Sequence, residues 1–149
     1  MSDFAVKMDV RAYDVDSQGH LNSAIYQSYA EHARWSYLLS IGITPKALIG
    51  SGVGPVFLEL AMRFRHELLF GDAVDVTCAF VPREDGSTRT FKVLQQFVLP
   101  DDTIAAELEC VCGLLDLDKR KLIDNPLQKL AEISNTGEIE LVGTGAAAP

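Results

Sequence analysis

Positive charge is scarce in this sequence. Lysine and arginine number 13 against 21 aspartates and glutamates, a formal net charge of −8. A protein that binds nucleic acid without regard to sequence needs a cationic face to release counterions. The longest basic run is Lys119-Arg120-Lys121, so a nucleic-acid partner is not expected. Long apolar runs are missing too: none approaches the roughly 18 residues of a spanning helix, so no membrane partner is expected either. The opening "MSDFAVKMDV" lacks a basic segment leading into an apolar one, and no secretory signal is expected. Cys78, Cys110 and Cys112 show no zinc-ligand spacing. Free thiols, no metal, no cofactor and a cytoplasmic location are the resulting expectations. Internal repeats and low-complexity linkers are absent. What is present is ordinary globular composition, 48% apolar and 23% charged over 149 residues, enough to bury one core. Small-molecule chemistry is the class left standing.

Hydrophobic periodicity divides the chain. Residues 4–13 alternate, with Val6, Met8, Val10 and Ala12 opposite Lys7, Asp9, Arg11 and Tyr13, which predicts a half-buried strand. From Asn22 to Ile41 helical spacing takes over: Tyr26, Tyr29, Ala30, Ala33 and Tyr37 share a face, Asn22 or Ser23 suits the cap, and Gly42 the end. "TPKALI" predicts a short helical turn with Pro45 at its first position. Alternation then returns. In "PVFLELAMRFRHEL", Val56, Leu58, Leu60, Met62 and Phe64 are expected inside. Residues 73–81 align Val74, Val76, Cys78 and Phe80; residues 89–99 align Phe91, Val93, Phe97 and Leu99; residues 104–115 align Ile104, Leu108, Cys110, Cys112 and Leu114. "REDGST" is a turn between two of these strands, and "NPLQKLAEI" reads as a short helix.

Strands joined by short turns pair antiparallel, and several half-apolar strands with one long helix leave one economical packing. The expected fold class is α+β: an antiparallel sheet of about five strands wrapped around one long central helix. Residues 1–133 are assigned to this domain and residues 134–149, "SNTGEIELVGTGAAAP", to a mobile tail.

The densest polar cluster is "DVDSQGHLNSAIY", Asp14 to Tyr26, where the helix begins. Asp14-Val15-Asp16, Gly19, His20-Leu21-Asn22-Ser23 and Tyr26, with "EHAR" and a closing "GI", resemble the hotdog-fold thioesterases of the 4-hydroxybenzoyl-CoA thioesterase and acyl-carrier-protein thioesterase group. Many members have Asn where this chain has Ser23. The resemblance implies Asp16 as the catalytic acid, Ser23 as the backbone N–H that binds the thioester oxygen, and Gly19 as a close-approach glycine. His20, Asn22 and Tyr26 support the site. The chemistry agrees. A helix N-terminus offers free N–H groups and a positive dipole end to a developing oxyanion. A nearby carboxylate attacks the carbonyl directly or deprotonates water.

The implied function is hydrolysis of an acyl thioester, on coenzyme A or acyl carrier protein, to free acid and thiol. The net charge of −8 favours coenzyme A over an acidic carrier protein, while the resemblance to carrier-protein thioesterases pulls the other way. Relatives place basic and hydroxyl residues near the coenzyme A phosphates at the position of Arg89 and Thr90, with Arg63, Arg65 and His66 as other cations. A homo-oligomer, dimer or tetramer, is expected, because the sheet leaves edges uncovered and relatives place sites between subunits. The alternatives are a hotdog hydratase or dehydratase, which pairs Asp with His at a longer spacing, and a non-catalytic acyl-binding module. Asp14 is read as structural, Glu31 as a partner for Arg34, and Cys110-x-Cys112 as core packing.

Overall fold

Alternation becomes strand in the computed structural model, which describes residues 4–142. β1 spans Ala5–Asp9, β2 Val53–Phe64, β3 Ala73–Thr77, β4 Ala79–Pro82, β5 Phe91–Val98, β6 Ile104–Asp116 and β7 Lys121–Leu122. They form one antiparallel sheet in the order β1-β3-β5-β6-β2. β4 continues β3 along β5, and the short β7 flanks β6. The helices are α1 (Tyr26–Ser40), α2 (Pro45–Gly50) and α3 (Pro126–Ile133). This is the hotdog arrangement, with the curled sheet closed on α1.

The buried face of α1 includes Tyr26, Tyr29, Ala30, Ala33 and Tyr37, as the spacing predicts, and also Arg34 and Leu38. Ala30 and Ala33 are fully buried, and their small size brings the sheet close to the helix backbone. Opposite them lie Val74, Val76, Cys78, Phe80, Phe91, Val93, Phe97, Leu108, Cys110, Cys112 and Leu114, all in one apolar cluster with the helix. Thr44 caps α2 by accepting from the Ala47 N–H at 3.0 Å, with Pro45 in the first turn.

Four expectations change. The first strand stops at Asp9, and residues 12–14 form a 3-10 turn. α1 begins at Tyr26, and its N-cap position, Ile25, has no side-chain bond. Asn22 works earlier: its Oδ1 accepts from the Ala24 N–H at 3.0 Å and its carbonyl from the Ile25 N–H at 2.9 Å. The local turn claims the side chain before the helix starts.

The third change is in β2. Phe57 pairs with Cys112 and Glu59 with Val111, so Leu58 is a bulge. One extra residue reverses the facing of everything on one side of it. Pro55 and Phe57 therefore face the helix before the bulge, and Leu60, Met62 and Phe64 after it; Val56 and Leu58 do not. β2 is an edge strand, and Phe57, Leu58 and Phe64 remain 50%, 49% and 55% exposed.

The fourth change concerns the boundary at residue 133. The Asn135 N–H donates to the Ile41 carbonyl at 2.8 Å, Leu141 bridges to Phe80, and Val142 packs on Ala79 and Val81. The packed unit thus continues to residue 142. The rest of the expected tail, residues 143–149, lies outside the described residues.

Candidate active site

Between β1 and α1 the chain folds back on itself. Val15 bridges Leu21, the Asp16 N–H donates to the His20 carbonyl at 2.8 Å, and the Gly19 N–H to the Asp16 carbonyl at 3.0 Å. Asp16 Oδ1 accepts from the Gln18 N–H at 2.8 Å and the His20 N–H at 3.2 Å. These bonds fix the carboxylate by the geometry of its own loop. Oδ2 has no protein partner among the described residues and opens to solvent with the rest of the exposed side chain. Gly19 sits at φ +78°, and a Cβ there would meet nothing within 4 Å. The left-handed conformation, not crowding, calls for glycine.

A cavity of about 460 Å³ opens beside this loop, lined by Asp16, His20, Leu21, Asn22, Ser23 and Tyr26 on one side. Phe64, the last residue of β2, and Arg65, His66 and Glu67 after it line the other. His20 Nε2 lies 2.8 Å from Glu67 Oε2. Arg65 Nη2 is 2.9 Å from Glu107, and His66 Nδ1 is 2.7 Å from the Glu67 carbonyl. The Ser23 N–H has no protein acceptor among the described residues. The first intrahelical bond of α1 runs from the Tyr29 N–H to the Ile25 carbonyl at 3.2 Å, so the N–H groups ahead of Tyr29 remain at the positive end of the helix. Tyr26 is buried with its ring edge-on to Phe64 at 5.0 Å and Phe97 at 5.2 Å, and burial holds its hydroxyl above the usual phenol pKa.

Asp14 lies behind the cavity. Its Oδ2 accepts from the Tyr29 hydroxyl at 2.6 Å. Burial, reinforced by this bond, pushes the Tyr29 pKa up to about 12.

The expected site residues therefore divide. Asp16, His20, Asn22, Ser23 and Tyr26 meet at one cavity, and Gly19 shapes the loop that holds it. Arg89 and Thr90 do not line it. Arg89 Nε pairs with Asp124 at 3.2 Å, while Thr90 Oγ1 accepts from Arg83 Nη1 at 3.2 Å and lies 2.9 Å from Ser87 Oγ. Phe64 and Glu67 were not expected here. Their proximity follows from the chain leaving β2 past the Asp16 loop, where the Leu21 N–H donates to the Leu68 carbonyl at 2.7 Å.

A second, apolar cavity of about 180 Å³ lies farther along α1, between it and β2. Arg34 is in its wall. No ion pair joins Arg34 to Glu31 among the described residues; instead Arg34 Nη1 donates to Gln95 Oε1 at 2.8 Å. Gln95 is the polar residue within the otherwise apolar inner row of β5.

The family model of the thioesterase-like superfamily matches residues 10–135. The chain belongs to that superfamily. A chloroplastic acyl-acyl carrier protein thioesterase of Arabidopsis thaliana, ATL3, is 40% identical over 73 residues, covering 48% of this chain and 38% of that protein. A second, ATL2, is 33% identical over 115 residues, 74% of this chain and 58% of the relative. The chain thus matches roughly four- to six-tenths of the length of these relatives. Among solved structures, YbaW of Escherichia coli superposes with a TM-score of 0.75 at 18% identity, covering 92% of this chain and 99% of that one. Slr0204, a 1,4-dihydroxy-2-naphthoyl-CoA thioesterase from Synechocystis, gives 0.74 at 18% identity, with 85% and 93% covered. These likenesses establish the shared fold.

Proposed function

We propose that this chain hydrolyses an acyl thioester, carried on coenzyme A or acyl carrier protein, to a free acid and a thiol. The observation that carries the reading is the joint placement of Asp16, the Ser23 turn and the start of α1 at one cavity, with Asp16 Oδ1 bound to its loop and Oδ2 without a partner among the described residues. Membership of the thioesterase-like superfamily and the acyl-carrier-protein thioesterases among the relatives support it.

In this proposal the thioester carbonyl oxygen points at the Ser23 N–H and the first turn of α1. Oδ2 of Asp16 takes a proton from water as the water oxygen attacks the carbonyl carbon. The oxygen gains negative charge, which the unpaired N–H groups stabilise. Collapse of the tetrahedral intermediate breaks the C–S bond, and the leaving thiolate recovers the proton. Direct attack by the same Oδ2, through an anhydride that water then opens, uses the same geometry. Nε2 of His20 faces Glu67, so the Asp–His pair of a hydratase is not assembled, and hydrolysis is the better reading.

We also propose a homo-oligomer built on the β2 edge, whose half-exposed Phe57, Leu58 and Phe64 would lie in water in a lone chain. Arg89, Thr90, Arg65 and His66 are the proposed contacts for a phosphate-bearing carrier.

The test is release of free thiol from a graded panel of acyl-CoA and acyl-carrier-protein esters. Turnover with at least one ester, with no enoyl absorbance appearing, is expected. Binding without thiol release would convert the protein into an acyl-binding module, and enoyl product would make it a dehydratase. A stable, active monomer in light scattering would remove the oligomer.

A further inference from the structure

Arg34 is a buried cation without a buried anion. It is 7% exposed, and no carboxylate pairs with it among the described residues. Its guanidinium carbon lies 4.5 Å over the Phe57 ring, and Nη1 donates to Gln95 Oε1 at 2.8 Å. Gln95 has no freedom to do otherwise: its Nε2 donates to the Ala30 carbonyl at 3.0 Å and the Thr77 carbonyl at 3.1 Å. The amide is thereby held with its oxygen toward Arg34. That leaves Nε and Nη2, the two parallel donors along the other edge of the guanidinium, without a protein acceptor among the described residues. This edge is the one that fits a carboxylate bidentately.

Apart from Glu31, the cavity beside it is otherwise apolar, walled by Trp35, Leu38, Leu48, Phe57 and Leu114. Its volume of about 180 Å³ is on the order of six water volumes, room for a short stretch of hydrocarbon. A mostly apolar slot with a buried, fixed positive charge in its wall is complementary to a chain whose end is anionic. Removing a charge from water is costly unless an opposite charge arrives. Arg34 lies eight residues beyond Tyr26, the first residue of α1, which is ~12 Å along the helix axis. An extended chain covers that distance in about ten bonds, and because the arginine side chain leans back toward the helix start, the roughly seven bonds of an eight-carbon diacid are enough.

We propose that Arg34 is a specificity-determining residue that binds a carboxylate on the far end of the acyl chain. The protein would then prefer half-thioesters of medium-length dicarboxylic acids over plain alkanoyl esters. The substrate class rests on the hydrolase reading above; the carboxylate site itself does not. Glu31 also lines this cavity but is itself exposed, so water and salt screen its repulsion of a carboxylate. Gln95 is a positioning residue that fixes which edge of Arg34 is offered.

Two measurements test this. The first compares kcat/KM for suberyl-CoA and octanoyl-CoA, esters of equal length that differ in the terminal carboxylate. The wild type is expected to favour suberyl-CoA by about tenfold or more, the scale of a charged hydrogen bond. That ratio is expected to fall toward one in Arg34→Met, and partway in Arg34→Lys, which keeps the charge but loses the fork. The second needs no turnover. Trp35 is the single tryptophan and lines the same cavity, so its fluorescence reports titrations with monomethyl suberate and dimethyl suberate. Tighter binding of the charged monoester, lost in Arg34→Met, is expected. Hydrolysis of no ester in the graded panel above would sink the hydrolase reading while leaving this titration to decide the site. A wild-type ratio of one or less, or equal binding of the two methyl esters, overturns the proposal. Equal binding together with a smaller particle for Arg34→Met in light scattering would instead give Arg34 to a carboxylate of a second copy of the chain. The wild-type comparisons stand even if a variant fails to fold.

Discussion

Two regions along α1 treat polar groups in opposite ways. At the helix start Asp16 and Asn22 face water, and each is held by a short-range bond within its own loop. Two turns later Arg34 is buried, and its partner Gln95 lies 61 positions away in sequence. The first region is cheap to assemble, since a tight loop restricts its own side chains and leaves them solvated. The second depends on the closed fold, because helix and sheet must meet before Arg34 finds Gln95. In the proposed function the first is the reaction centre, with one carboxylate oxygen and N–H groups that have no partner among the described residues. The second has the character of a recognition pocket.

The sharpest way to break this comparison is Asp16→Asn. An Asn Oδ1 can still accept from the Gln18 and His20 N–H groups, so the loop should survive. The charge on the free oxygen is lost. Turnover is expected to fall on the order of 10²-fold or more, with KM little changed because the lost interaction belongs to the transition state. A folded Asn variant with near-normal kcat would reduce Asp16 to a loop residue and make Glu31 the next acid to examine.

This difference also explains what was legible in the sequence. Local features read well: the apolar face of α1, the strands, Pro45 at the start of α2 and the polar loop from Asp14 to Ser23 all rest on spacings within a few residues. Non-local pairing did not. Arg34 was matched with Glu31 one turn away, and its real acceptor sits in β5, where Gln95 interrupts the row of Phe91, Val93 and Phe97. A polar residue at an inward position was the available signal. The bulge at Leu58 was hidden because Val56, Leu58 and Leu60 continue the apolar alternation straight through it. Adjacent Phe57 and Leu58 marked the place where two facings competed. The packing of residues 134–142 escaped notice because Leu141 and Val142 are isolated in a polar, glycine-bearing stretch, and only the folded surface supplies their partner at Phe80.

Gln95→Leu probes the second region with a smaller effect. It is close in size but removes the acceptor from Arg34 Nη1 and the donor to two carbonyls. Loss of a hydrogen bond to a buried charge is expected to cost about 2–3 kcal/mol, read as a lower urea midpoint with an unchanged m-value. Unaltered stability would mean that Arg34 is already satisfied by water and that the contrast between the regions is overstated.

Tyr29→Phe tests the support behind the first region. The Tyr29 hydroxyl donates to Asp14 at 2.6 Å, and removing a bond to a charged acceptor at the edge of solvent should cost about 1.5 kcal/mol near neutral pH. The folded-state pKa of Tyr29 is raised from 10.0 to about 12. A raised value means that the protonated phenol is favoured in the folded state. Its contribution is therefore complete below the unfolded pKa and is lost as pH rises through the folded one. Wild-type stability should decline over that alkaline window for this reason, and the Phe variant should lack that component. Parallel pH profiles for the two proteins would remove the Asp14–Tyr29 bond from the account.

The smallest expected effect concerns whether the polar region acts alone in holding the carrier. Arg89 is 62% exposed at its side chain and pairs with Asp124 at 3.2 Å, away from the Asp16 cavity. An exposed pair contributes little to stability, about 0.2–1 kcal/mol at most, so Arg89→Gln should leave the melting temperature nearly unchanged. If Arg89 meets a carrier phosphate, KM for a coenzyme A ester should rise about two- to threefold at low salt. That difference should shrink as salt screens the charge, with kcat constant because the contact is remote from the reacting bond. Arg65→Gln provides the contrast, since Arg65 lines the cavity itself. A larger KM effect there than at Arg89 would keep carrier binding within the first region, whereas the reverse order would extend the site across the sheet to the turn between β4 and β5.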